Sequence, residues 1–231
     1  MSLPYFFVET LAPVAHDLVL PEGQSKHIVQ VLRMQKEEEL FLTDGKGNKV
    51  HAIIIDDHRK RCQVKIISIE KAEARLKNIS IAISLIKNLA RFEWFLEKAT
   101  EIGVSEIIPL ICERTEKQNF RFERMKNILL TAMLQSQQSL LPVLHEPTKF
   151  NQLLSNSYQT KYIAHCIEEQ KRNLKDEQTM GSAIILIGPE GDFTRQEIDL
   201  AKENNFMPVA LGTTRLRIET AGIVAATLLC I

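Results

Sequence analysis

The 231-residue chain lacks an excess of either charge, a long hydrophobic run and a clustered set of cysteines. Each absence closes off a class of function. Lysine plus arginine equals aspartate plus glutamate at 29 each, so the protein as a whole is not drawn to nucleic acid or to an anionic membrane. Any polyanion has to be met by a local patch. The longest nearly unbroken apolar stretch, Ala221 to Ile231, is about half of the ~20 residues that span a bilayer, and Gly222 and Thr227 interrupt it. No transmembrane helix and no membrane partner are expected. The amino terminus has no basic stretch ahead of an apolar run and carries Glu9 and Asp17, which is not a secretory signal pattern. A cytoplasmic setting is expected. Cys62, Cys112, Cys166 and Cys230 are dispersed, without the Cys or His spacing that zinc sites use. Reduced, buried thiols are expected, and none of the six histidines is assigned to a metal.

The composition that remains, 45% apolar and 25% charged, is that of a folded globular chain and excludes disorder and coiled coil. The length suits one large domain or a small one joined to a larger one. The first part reads as β-rich. Ser25 is placed to cap a short helix carrying Ile28, Val31 and Leu32 and ending near Met34. Leu40 to Thr43 and Val50 to Ile55 flank the turn Asp44-Gly45-Lys46-Gly47-Asn48 as a hairpin, and Cys62 to Ile69 alternates as a third strand. The charged stretch Glu70 to Lys77 reads as a linker, with a boundary near residue 74 that divides the chain into domains 1–74 and 75–231.

Beyond the boundary, strands alternate with helices, the pattern of an α/β fold. Ile79 to Leu85, Glu106 to Ile111, Lys161 to Cys166, Ala183 to Ile187 and Val209 to Leu211 read as strands. Phe92, Phe95, Leu96, Ala99 and Ile102 form one face of a helix closed by Gly103, and a longer helix runs from Phe122 to about Gln138, ahead of Pro142. Thr194 and Glu197 make a capping box, with Asn204 and Asn205 closing that helix. The last helix, Glu219 to Ile231, is apolar nearly all round, so it is expected to be buried on more than one side, in a core or at a subunit contact.

Two segments carry the chemical signal, each a strand, a glycine loop and a helix: Gly188-Pro189-Glu190-Gly191-Asp192-Phe193-Thr194, and Leu211-Gly212 followed by Leu216-Arg217-Ile218-Glu219-Thr220-Ala221. Loops of this kind are where open α/β sheets bind ligands. No Gly-Lys-Ser/Thr follows and a proline interrupts the three-glycine dinucleotide pattern, so a nucleoside triphosphate or NAD enzyme is disfavoured.

These segments resemble the trefoil-knotted class of S-adenosylmethionine-dependent RNA methyltransferases. Within it they are most similar to the family that methylates N3 of a uridine in small-subunit ribosomal RNA. His27-Ile28, Val31-Leu32-Arg33, Asp44-Gly45, Lys87, Glu93, Lys98 to Val104, Pro109, Glu113-Arg114, Gln135-Ser136 and Leu141-Pro142 extend the likeness over nearly the whole chain. The chain departs from it at Asp192 and at Glu37-Glu38, where the family has glycine-containing pairs, and at Gln138, where it has an arginine nearby.

The resemblance implies a trefoil-knotted α/β methyltransferase domain preceded by a small β-barrel, PUA- or OB-like RNA-binding domain. It also implies S-adenosylmethionine as methyl donor, and pairing of two chains through the knotted domains. The donor has no phosphates, so an apolar slot and closely approaching backbone suit it. Leu186, Ile187, Gly188, Pro189, Gly191, Leu211, Gly212, Leu216, Thr220 and Ala221 are the expected cofactor residues. Arg217 is the expected stabiliser of the uridinate, with Glu190 and Glu219 as bases or partners of the donor's amine. RNA is expected at Lys26, His27, Arg33, Lys87, Arg91, Arg114 and Arg121, with further basic residues at Arg59-Lys60-Arg61. Residues 114–126, which include Lys117, Arg124 and Lys126, carry a net charge of +3. The alternative is a non-catalytic RNA-binding or ribosome-assembly factor that keeps the fold.

Overall fold

The structure, a computed structural model, describes residues 3–11, 17–73, 75–116 and 120–231. The boundary expected near residue 74 and the basic Lys117 lie outside the described residues. The chain separates into two compact units, Met1–Ala74 with Met133–Leu141, and Arg75–Ala132 with Pro142–Ile231.

The first unit is built on a curled sheet of five strands in the order β1-β3-β4-β5-β2. These are β1 (Tyr5–Phe7), β2 (Asp17–Val19), β3 (Glu39–Thr43), β4 (Asn48–Asp56) and β5 (Gln63–Lys71). Along β4, Val50, Ala52 and Ile54 are fully buried while the residues between them are half-buried, so one face makes the core. Leu20, Ile28, Leu40, Leu42 and Val64 complete it. The edge strands β1 and β2 are three residues each, too short for a periodic pattern to announce them.

Two expectations fail here. Ser25 does not cap a helix: α1 (Glu22–Lys26) begins after Pro21 and runs on as a wider turn over His27–Val31. The fully buried Ser25 hydroxyl instead donates to Leu20 O at 3.1 Å and accepts the Cys62 N–H at 2.9 Å, tying helix to sheet. The charged Glu70–Lys77 stretch is not all linker. Glu70 and Lys71 pair with Lys49 and Asn48, and Lys77 opens the next strand, because ladder bonds use backbone groups whatever the side chains.

The second unit is an α/β layer around an eight-stranded sheet ordered β11-β13-β10-β12-β6-β7-β8, with β9 also paired to β7. The strands are β6 (Lys77–Ser84), β7 (Glu106–Ile111), β8 (Val143–Leu144), β9 (Thr148–Lys149), β10 (Thr160–Ala164), β11 (Arg172–Asn173), β12 (Gly181–Ile187) and β13 (Met207–Ala210). Every pairing is parallel. Residues 79–84 of β6 and 183–187 of β12 are buried without alternation, as in a sheet covered on both faces.

On one face lies α6 (Ile218–Cys230), packed on β6 and on α2 (Leu89–Ile102). A side chain at Gly222 would bring its Cβ to 2.6 Å from a Phe95 ring atom and 2.8 Å from Ile83, so only glycine permits this approach. The buried stripe of α6 is Ile218, Glu219, Gly222, Ala225, Ala226 and Leu229, and Ile223, Val224 and Leu228 are left half-buried. The other core face gathers Phe150 and Leu153 from α4 (Phe150–Leu153) and Ile198 and Ala201 from α5 (Arg195–Glu203). The Thr194–Glu197 capping box opens α5 as expected, with Thr194 Oγ1 accepting the Glu197 N–H. The α3 helix (Phe122–Gln135) stops short of Gln138, since Gln137 takes a left-handed turn at φ 58°.

Candidate active site

Sheet order, not chain order, assembles the site. β13, β10 and β12 are neighbours, and their carboxyl ends release the segments 210–217, 165–171 and 188–192 side by side. These segments line a cleft of about 810 Å³, toward the upper end of the roughly 300–1,000 Å³ of small-molecule sites. Ile187, Val209, Leu211, Leu216 and Ile218 give it apolar wall, and Glu190, Asp192, Arg215, Arg217 and Glu219 give it charge.

The two glycine loops thus meet in one place. Ile187, Gly188, Pro189, Glu190, Leu211, Gly212, Leu216, Arg217, Glu219, Ala221 and Arg91 all line the cleft. Gly188 is required by packing: a Cβ there would lie 2.9 Å from the ring of the buried Phe193. Leu186 is not in the lining. The β pleat turns it away from its neighbour Ile187, into the core with Ile163, Ile184 and Phe193. Gly191 and Thr220 are adjacent to lining residues but outside the lining.

Arg217 precedes the first turn of α6, with φ −70° and ψ 157°, and is exposed. Among the described residues neither its guanidinium nor that of Arg215 has a hydrogen-bonded or ion-paired partner. Glu190 is exposed and likewise without a partner among them. Glu219 is buried, and its Oε1 lies 3.6 Å from Arg91 Nε. The two glutamates therefore differ: one is open to solvent, the other is held against a cation.

The third wall was not anticipated. His165, Cys166 and Lys171 follow β10, a strand legible in the sequence whose position beside β12 was not. Lys171 Nζ donates to His165 O at 2.8 Å and Ile167 O at 2.9 Å, bracing the turn. The His165 ring is fully buried, and Nε2 lies 3.2 Å from Glu169 Oε1 but off the line of a hydrogen bond. Burial, then the nearby Lys171 charge, hold its pKa below the usual imidazole value. The Lys202 ammonium bound to Glu169 holds that carboxyl below its own usual value. Cys166 is exposed, unlike the buried thiols expected. Burial pushes Cys62 and Cys230 up to about 11 and raises Cys112 as well.

The residues expected at RNA divide in two. Lys26 pairs with Glu22 at 2.7 Å, Lys87 with Glu116 at 3.1 Å, and Arg91 with Glu219. Arg114 donates to Gly191 O at 2.7 Å, so it braces the loop after β12. Arg124, counted in the basic run, is forked onto Glu93, with Nη2 to Oε2 at 2.9 Å. His27, Arg33 and Arg121 are exposed, and Arg33 sits in a left-handed turn at φ 57°. Glu37 and Asp192 also take left-handed conformations, at φ 75° and 61°, at two of the positions where the resemblance has glycine-containing pairs. Among the described residues no helix is long and apolar enough to cross a membrane, and no cluster of three potential ligands is placed to hold a metal.

Residues 72–230 match the RNA methyltransferase domain family, and residues 20–67 match the RNA methyltransferase PUA domain. Ribosomal RNA small subunit methyltransferase E of Synechocystis sp. is 31% identical over 90% of this chain and 71% of its own length. The protein of that name from Aquifex aeolicus is 27% identical over 92% of this chain and 93% of its own. The crystal structure of its counterpart from Neisseria gonorrhoeae, bound to S-adenosyl methionine, superposes with a TM-score of 0.87 at 28% identity, covering 97% of this chain and 95% of that one. With the cleft at the ends of β10, β12 and β13 and these relationships together, the chain belongs to the ribosomal RNA small subunit methyltransferase E family of RNA methyltransferases.

Proposed function

We propose that this protein methylates N3 of a uridine in small-subunit ribosomal RNA, with S-adenosylmethionine held in the cleft at the ends of β10, β12 and β13. One observation carries the reading: in a chain of this family, the Gly188–Asp192 and Leu211–Arg217 segments converge on a single cleft. The cleft suits the donor chemically. Ile187, Val209, Leu211 and Leu216 offer an apolar slot for a purine, and Glu190 offers negative charge to a cationic ligand that bears no phosphate.

The donor supplies an electrophilic methyl group on a leaving group that needs no protonation. The protein's part is to align the base with it and to manage the uridine N3 proton. The guanidinium of Arg217, unpaired and at the positive end of α6, is placed to hydrogen-bond a uridine carbonyl oxygen as N3 loses its proton and negative charge spreads onto it. Glu190 is the freer of the two carboxylates to receive that proton. Glu219 holds Arg91 at the wall of the cleft.

RNA is gripped locally, since the net charge is zero. Residues 1–74, which make up most of the first unit, serve as a PUA-like RNA-binding domain that presents His27 and Arg33, and the methyltransferase unit presents Arg121, Arg215 and Arg217. Two chains pair through α6, whose half-buried Ile223, Val224 and Leu228 gain cover in a dimer. The reaction takes place in the cytoplasm, where the small subunit is assembled.

The test is mass mapping of modified nucleosides in small-subunit RNA from cells with and without this protein, followed by transfer from labelled donor to free RNA and to assembled subunits. One N3-methyluridine missing from the deficient cells and restored by the pure protein is the expected result. Unchanged nucleosides alongside intact RNA binding would leave the assembly factor as the better reading.

A further inference from the structure

Asp192 has no part in the chemistry derived above, yet its backbone sits at φ 61°, where a β-carbon is strained and glycine is the undemanding choice. Its side chain gives a reason for its presence. Oδ2 accepts the Cys166 N–H at 2.8 Å and Oδ1 accepts the Phe193 N–H at 2.9 Å. Both carboxylate oxygens are therefore engaged by backbone donors, one on each of two segments that wall the cleft.

Each segment is also braced within itself. Lys171 holds the turn after β10 through the carbonyls of His165 and Ile167. The loop after β12 is held by Arg114 on Gly191 O and by the Asp192 N–H on Pro189 O at 2.9 Å. Among the described residues, the Asp192–Cys166 bond is the one hydrogen bond that joins loop to turn.

We propose that Asp192 is a positioning residue that ties the loop after β12 to the turn after β10 and so sets the width of the cleft before the methyl donor arrives. The proposal rests on the functional reading above. A carboxylate suits the task because it accepts two N–H groups at once through charge-assisted bonds. An asparagine offers one oxygen and turns its amide hydrogens on the other donor, and a glycine accepts neither. Without the tie, the two walls have to be ordered by the donor itself, which weakens binding and leaves transfer from the bound donor nearly unchanged.

The experiment compares full-length wild type, Asp192→Gly and Asp192→Asn by calorimetry with S-adenosylmethionine, saturating-donor turnover, melting temperature and hydrogen exchange of the Cys166 amide. Asp192→Gly is expected to keep its melting temperature, since backbone relief offsets the lost bonds, and to exchange the Cys166 amide faster. Its donor affinity should fall by about 10-fold, the scale of one charge-assisted hydrogen bond, with kcat within about 3-fold. Asp192→Asn should fall between it and wild type. A glycine variant that binds donor as tightly as wild type, or with unchanged Cys166 exchange, overturns the tie. So does one in which melting temperature, affinity and turnover fall together, the mark of a residue serving the fold. A wild type that binds no donor refutes instead the functional reading on which the tie rests.

Discussion

The two sheets bury their strands in opposite ways. β4 of the first unit alternates, with Val50, Ala52 and Ile54 inside and their neighbours facing outward, whereas β12 of the second unit is buried from Ala183 to Ile187 without a break. A sheet with one open face has lateral surface to offer a large partner. A sheet covered on both faces has only its strand ends, and the cleft lies there. On the function proposed above, the open face of the first sheet lends itself to RNA, while the methyl donor is held at the strand ends of the second.

A charge is least tolerated in the core of the second sheet. Ile185→Asp puts a carboxylate where the side chain is fully buried, at a cost of several kcal/mol against a total stability of about 5–15 kcal/mol, so the second unit should not fold. Ile69→Asp on β5, at a residue 48% exposed, should cost no more than about 1 kcal/mol. Urea titration followed by the fluorescence of Trp94, the single tryptophan, and by circular dichroism reads both. Equal loss in the two variants would mean that the face of β5 is covered in solution.

A smaller effect sharpens the division of labour. Arg217→Ala should lower methyl transfer by about 10²-fold while donor affinity is retained, with little rescue by lysine, whose point charge lacks the planar fork. Arg33→Ala should leave the saturated rate alone, raise the RNA requirement and reduce the salt dependence of RNA binding by about one charge. Single-turnover assays at several salt concentrations separate the two. Normal turnover in Arg217→Ala would remove that residue from the mechanism.

The smallest expected effect is a pH dependence confined to the second unit. His165 faces Lys171, Glu169, Asp192 and Lys202, and its folded pKa lies below the unfolded value of about 6.5. The unfolded chain thus binds the proton first. The associated stability is complete above that pH and is lost as pH falls toward the folded pKa. Melting temperature should decline over that interval in wild type and decline less in His165→Gln. Parallel curves would show that His165 does not titrate in the folded protein.

Much of the architecture was legible because local physics encodes it. The Asp44–Asn48 turn, the capping box at Thr194 and the continuous apolar run of β12 each announce themselves within a few residues. Where local reading erred, a distant partner had decided. Ser25 has the chemistry of a cap, but its hydroxyl accepts the N–H of Cys62, 37 residues away, and Arg124 of the basic run is forked onto Glu93, 31 residues away.

The strands of four or more residues, most of the helices, the two glycine loops and, through the order and spacing of its motifs, the family were readable from the sequence. Only the tertiary structure decided that β10 lies between β12 and β13. It thereby brought in His165, Cys166 and Lys171 as a third wall, turned Leu186 away from the cleft and set Asp192 against Cys166. The physical reason is that periodicity and capping act over a few residues, whereas parallel pairing joins strands such as β10 and β13 that lie more than 40 residues apart in sequence. No local pattern records which neighbour a buried strand will take.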